Sequence, residues 1–174
     1  MELGRFCSQV LVVCLLCMSA TIAALAKDAA LTTSGLPVPR YVSLKSDHVN
    51  VRAGPTKDND VAWVYTRSGL PVEITQEFEN WRRVRDSEGA EGWVYHSLLS
   101  GRRTAVITMK NKDDLASLYE QADAASAVSA RLQAGVVAQV RHCASGWCHV
   151  TGNGFDGWIE QQRLWGVYAD EKVE

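Results

Sequence analysis

Apolar and polar positions alternate in short bursts along most of this chain. From Pro71 to Phe78, Val72, Ile74 and Phe78 are apolar, with Glu73, Thr75 and Glu77 between them. That period of two marks a half-buried strand. Tyr41 to Lys45, Val49 to Arg52, Ala62 to Thr66, Trp81 to Arg85 and Ala90 to Tyr95 supply further strands. Asp86-Ser87-Glu88-Gly89 and Gly152-Asn153-Gly154 carry the glycine and Asx chemistry of turns between them. Only the alanine-rich stretch Asp123 to Leu132 could pass for a helix.

The alternation occurs twice. Gly69 to Val84 (GLPVEITQEFENWRRV) lies without a gap on Gly135 to Val150 (GVVAQVRHCASGWCHV), with Gly69/Gly135, Trp81/Trp147 and Val84/Val150 identical. One deletion later, Gly92-Trp93-Val94 meets Gly157-Trp158-Ile159, Leu99 meets Leu164 and Gly101 meets Gly166. The partner of Asp123 to Leu132 is then the strand at Ala62 to Tyr65, so the repeat predicts a strand there too. Five or so short strands in about 60 residues close into a small barrel rather than a wide sandwich. The expected fold is all-β: two tandem small barrels, at residues 38–101 and 102–168, followed by an acidic tail at 169–174.

The first residues change where such a protein should work. Arg5 precedes the apolar run Val10 to Met18, and Ala24-Leu25-Ala26 gives a small-x-small site before Lys27 and Asp28. This order is that of a secretory signal peptide over residues 1–26, cleaved after Ala26, with a linker at 27–37. The alternative is an uncleaved anchor, since Phe6 to Ala26 carries no charge and is long enough to span. The expected location is the periplasm or outside, with membrane contact only through a retained leader. Cleavage would remove Cys7, Cys14 and Cys17, leaving Cys143 and Cys148 as a pair in an oxidising compartment, read first as a disulfide. Composition adds little: 47% hydrophobic and 22% charged residues describe a folded globular protein. A net charge of −2, without interleaved basic and aromatic residues, gives no sign of a nucleic-acid partner.

The series PVEITQEFENWRRVRDSEGAEGWVYHSLL resembles the second half of an SH3-type barrel. It has a strand, a short loop, a Trp-x-x-Val strand, a tight turn, a Gly-aromatic-Val strand and one 3₁₀ turn. The longer run from LPVPRYVSLKSDHVNVRAGP to LLSGRR resembles a family of exported bacterial SH3-like proteins. The first unit fits throughout. The second fits only from about Leu132, its start lacking a counterpart to Arg52-Ala53-Gly54-Pro55. Units of this family accompany hydrolases in larger bacterial enzymes and bring them to the wall. The resemblance therefore implies a non-enzymatic recognition or adaptor role, without cofactor or metal, toward a peptide, peptidoglycan or an envelope protein. A regulator or accessory subunit of a cell-wall enzyme is a further possibility.

Trp81 and Trp147 stand three positions before an inward valine, so alternation turns them outward. A tryptophan at this place lines the peptide groove of eukaryotic SH3 domains, and Tyr95 takes the place of their groove proline. The groove candidates are Trp63, Tyr65, Trp81 and Tyr95, with Arg52 and His48 at the edge, and Trp147 in the second unit. Trp93 suits a groove or a wedge between barrels equally. The competing expectation is structural, with these aromatics forming an inter-barrel or homodimer interface. Arg82, Arg83, Arg85, Arg102 and Arg103 are either a solvated face or a patch for an acidic partner.

Cys143 and Cys148 fall opposite Glu77 and Arg82 in the repeat, so one unit holds by sulfur what the other holds by charge. Pairing Val140 with Val150 leaves the cysteines one residue out of line, and a bulge is needed. His142 and His149 flank the cysteines and raise the alternative of a zinc site. Neighbours on a strand face opposite ways, which argues against four converging ligands. A catalytic thiolate would need a base and an orienting group, and neither paired carboxylates nor a phosphate loop is visible.

Overall fold

The computed structural model describes residues 32–111 and 113–174; the expected signal peptide lies outside them, as do residues 27–31 of the linker. Seven strands form the first barrel: β1 (Arg40–Leu44), β2 (Val49–Arg52), β3 (Val61–Tyr65), β4 (Pro71–Phe78), β5 (Trp81–Arg85), β6 (Glu91–Tyr95) and β7 (Leu99–Ser100). The second has β8 (Thr104–Ile107), β9 (Leu115–Tyr119), β10 (Val128–Gln133), β11 (Val137–Ala144), β12 (Trp147–Gly152), β13 (Phe155–Glu160) and β14 (Leu164–Trp165). A 3₁₀ turn precedes the last strand of each, at His96–Leu98 and Gln161–Arg163. The sheet orders are β3-β2-β6-β5-β4-β1-β7 and β10-β9-β13-β12-β11-β8-β14, the same topology strand for strand. The alanine-rich stretch supplies a turn and then β10, so the repeat, and not composition, decides its state.

Each barrel has its own core. Leu44, Val49, Val51, Val72, Ile74, Val84 and Val94 fill the first. Ile107, Leu118, Ala138, Val140, Val150 and Ile159 fill the second, with both late cysteines. In β4 the alternation holds through Val72 and Ile74 and then shifts, because a bulge falls between Ile74 and Gln76. Beyond the bulge the faces exchange. Phe78, apolar and expected to point inward, is 47% exposed, while the Glu77 side chain is 1% exposed. The bulge recurs at the matching place in β11, between Val140 and His142, and brings Cys143 opposite Cys148.

The matched positions then do matched work. Cys143 and Cys148 form a disulfide. Their counterparts Glu77 and Arg82 form an ion pair at 3.1 Å. A terminal segment straps each site. In the first barrel Ser34 donates to Glu77 from its backbone N–H and its hydroxyl, at 2.9 and 2.7 Å. In the second the backbone of Val173 pairs with Cys143, and Gln161 donates to the carbonyls of Tyr168 and Glu171. Residues 169–174, expected as an acidic tail, are thus packed against the barrel. Val173 is buried, and Glu171 binds Arg103 at 2.6 Å. Reduction of Cys143–Cys148 should cost the second barrel about 2 kcal/mol by loop entropy. Thermal melts with and without reductant check this; an unchanged melting profile would show that the strap alone holds the hairpin.

The barrels meet through aromatics other than those expected. Tyr41 packs against Trp165 and Tyr168, with ring centroids 5.1 and 4.6 Å apart. The Tyr168 hydroxyl donates to Glu73 at 2.9 Å, and Arg85 holds the other oxygen of the same carboxylate. Burial and this bond to Glu73 push the Tyr168 phenol well above its ordinary pKa. Glu73, polar and outward on β4, is buried because the second barrel covers it.

Candidate functional site

On β5 the side chains of Arg82 and Val84 turn inward, so Trp81, Arg83 and Arg85 share the outer face. The register sets Trp81 beside Tyr95, Arg83 beside Trp93 and Arg85 beside Glu91, and β2 adds Arg52 beside Trp93. An outer row Arg83–Trp93–Arg52 therefore runs across three strands, with Trp81 and Tyr95 flanking it. Trp81 and Tyr95 meet edge to face at 5.4 Å, and His96 continues the stack at 5.1 Å from Tyr95. Arg83 binds Glu91 at 2.7 Å.

The second barrel repeats the row with changed chemistry. His149 lies beside Trp158, and Trp158 beside Tyr119. His142 stands opposite His149. The His149 ring lies 5.2 Å from Trp158, and its Nε2 is 2.9 Å from Asp156. Tyr119 meets Trp147 edge to face at 5.6 Å. Both barrels thus present a tryptophan flanked by a basic residue (Arg83 or His149) that binds an acid two positions before that tryptophan (Glu91 or Asp156). Glycine makes the row possible. A Cβ on Gly92 would sit 2.4 Å from Val51 Cγ1, and one on Gly157 would sit 2.9 Å from the Tyr119 carbonyl oxygen.

The expected groove residues gather only in part: Trp81, Tyr95 and Arg52 share the outer face, and the others stand apart from them. Trp63 and Tyr65 pair with Val51 and Val49 and so face inward. Tyr65 belongs to the core and Trp63 packs against it. The Tyr65 hydroxyl donates to Asp86 at 2.9 Å, and burial with that bond pushes its pKa well up. His48 is exposed in the turn before β2, at the end away from Arg52. Trp81 points outward as expected but is only 8% exposed, because Tyr95 folds over it. Arg52, Tyr95 and Trp147 lie on the outer faces, Trp147 partly exposed. Trp93 lies on the outer face, and the inter-barrel stack is made by Tyr41, Trp165 and Tyr168. Alternation could have found Trp158, His149 and Tyr119: each lies beside an inward residue of the repeat.

Beside Trp147 a cavity of about 460 Å³ opens, lined also by Ser145, Gly146, Glu160, Gln161 and Val167. A smaller cavity of about 240 Å³ in the first barrel has Ser34 and Leu36 of the N-terminal strap in its wall, with His96 and Leu99 at positions that match Gln161 and Leu164. The late cysteines turn inward while His142 and His149 stand on the outer face. Among the described residues no three His, Cys, Asp or Glu side chains gather as metal ligands.

The model of a family described as bacterial SH3 domain matches residues 45–101 and 112–166. The chain belongs to the bacterial SH3 domain family. The second bacterial SH3 unit begins well before Leu132, where the sequence resemblance stops. Its β9 and β10 keep the topology although Arg52-Ala53-Gly54-Pro55 has no counterpart. No curated protein matches the chain. Among solved structures, NlpC2 and NlpC1 of Trichomonas vaginalis are each 15% identical, covering 73% and 76% of this chain and 48% of theirs, with TM-scores of 0.33 and 0.32. A NlpC/P60 family protein of Bacillus cereus is 12% identical over 72% of this chain and 55% of its own, with a TM-score of 0.29. The chain spans about half the length of these structures.

Proposed function

We propose that the protein is an exported, non-enzymatic binding or adaptor protein of the bacterial envelope. It grips a peptide, a peptidoglycan stem or a partner protein on the outer faces of its two SH3 units. The observation that carries this reading is the duplicated outer row, Arg83–Trp93 with Glu91 and His149–Trp158 with Asp156. Aromatic planes bury area at low entropic cost, and the polar pairs beside them offer hydrogen bonds at the rim. The aromatics that join the barrels are others, which leaves Trp93, Trp147 and Trp158 available to a ligand. Both late cysteines are tied in a disulfide and offer no thiolate. Bacterial SH3 units commonly act as binding modules, often at the wall.

Capture by purified sacculi and from envelope lysates tests the reading, with Trp158→Ala as control. Binding to either, weakened at least about tenfold by the substitution, is the expected result. No enrichment in either would end it. Mass spectrometry of the protein recovered from the periplasm would show cleavage after Ala26, and an intact leader would make the protein membrane-anchored instead.

A further inference from the structure

Four of the five arginines behind the basic excess at residues 82–103 are neutralised within the molecule. Arg82 binds Glu77, Arg83 binds Glu91, Arg85 binds Glu73 and Arg103 binds Glu171. Arg102, exposed in the link between barrels, has no carboxylate partner among the described residues. It lies over Gly69, with Nη2 3.5 Å from where a Cβ on that glycine would sit. There it lines an open cleft of about 460 Å³ between the two barrels, together with Arg67, Arg141, Ser68, Thr104 and Thr151. Arg67 comes from the loop after β3 and donates to the Gly135 carbonyl at 2.9 Å. Arg141 is the bulged residue of β11 and donates to Thr151 at 3.2 Å. Neither has a carboxylate partner among the described residues, and no acid lines the cleft. Thr104 keeps its buried Oγ1 without a hydrogen-bond partner.

Three guanidiniums from three segments, gathered without a counter-charge, make a positive concavity that concentrates anions. Guanidinium forks match carboxylate oxygens in bidentate geometry. The cleft is of the size that takes a small organic ligand, more than a single ion needs, and its cations are spread over both barrels. We propose that this inter-barrel cleft binds the free carboxylates of an acidic peptide, which on the reading above is the stem end of the wall ligand. The outer rows then hold the body of that ligand and the cleft fixes its charged end, so the site exists only where both barrels are present.

The test titrates the whole purified chain at low salt with a short peptide bearing two free carboxylates, with the same peptide amidated at both, and with inorganic phosphate. Sacculus capture is measured beside it. The free acid is expected to bind, and amidation to weaken it at least about tenfold, the worth of one hydrogen-bonded charge. Arg102→Gln and Arg141→Gln, both at exposed positions, are each expected to weaken it about tenfold. Phosphate should bind at least about tenfold more weakly than the peptide. Equal binding of the free and amidated peptides, or unchanged affinity in both variants, overturns the proposal. Phosphate binding as tight as the peptide's also overturns it and makes the cleft a simple-anion site. Capture on sacculi without carboxylate preference removes this inference and leaves the envelope reading standing. Carboxylate preference without capture from sacculi or lysate does the reverse.

Discussion

Replacing Glu77 by alanine should cost the first barrel about 3–5 kcal/mol, the usual result of removing one member of a buried charge pair. The carboxylate is enclosed on every side. Arg82 faces it across the hairpin and Arg40 reaches it from β1 at 2.6 Å. Ser34 closes it from the strap. Without it, Arg82 stays buried with no counter-charge, its other partners being the Glu79 and Trp81 carbonyls. A barrel of about 60 residues has only marginal stability to lose. The double replacement Glu77→Cys with Arg82→Cys should behave differently, because the second barrel already closes the matched position with sulfur. An oxidised variant of near native stability, beside a Glu77→Ala variant that unfolds early, is the expected pair. Urea unfolding followed by tryptophan emission measures both, and a loss below about 1 kcal/mol in Glu77→Ala would show that the charges are dispensable.

The same carboxylate fixes a pH dependence. Burial pushes Glu77 up, but the hydrogen bonds from Ser34 and Arg40 and the charge of Arg82 outweigh it and hold the pKa below the ordinary carboxylate value. Glu171 behaves likewise, burial being outweighed by Arg103 and the Tyr168 N–H. A group with a depressed folded pKa contributes its stability above the unfolded value and loses it as pH falls through the folded one. Both terminal straps should therefore loosen together below about pH 4, and near neutral pH neither should respond.

The repeat made the architecture legible, because identical Trp, Gly and Val positions in one chain act as two readings of one fold. It also carried the equivalence of Glu77–Arg82 with Cys143–Cys148 and the need for a bulge in β11. The same bulge in β4 went unread, since Glu77 and Phe78 look regular in sequence; a single inserted residue inverts both. Trp63 and Tyr65 were misplaced for a related reason. Their side-chain faces are set by pairing with Val51 and Val49, and pairing is a long-range fact that residue type does not carry. Glu73 was unreadable as a buried residue, because what buries it is Tyr168 of the other barrel, 95 positions away. The cleft was hidden among arginines that differ only in whether a carboxylate reaches them.

If both outer faces bind, single losses will look unequal in different assays. The barrels are held together by the Tyr41 stack and by the bond from Tyr168 to Glu73. A ligand engaged by one row is then presented to the other at high effective concentration, and linked sites of this kind gain about 10²–10⁴ over either alone. On a soluble ligand fragment too short to reach both rows, Trp158→Ala should weaken binding roughly tenfold, the loss of one aromatic contact. On intact sacculi or a polymeric partner the same substitution should weaken binding at least about a hundredfold, because the second engagement goes with it. Trp93→Ala should behave alike, and the double variant should add little on the polymer, since avidity is already gone. Equal losses on fragment and polymer would mean that one barrel binds and the other serves as its scaffold. Thermal melts of each variant separate this from misfolding: Trp93 and Trp158 lie on outer faces, outside both cores, so their removal should leave each transition in place.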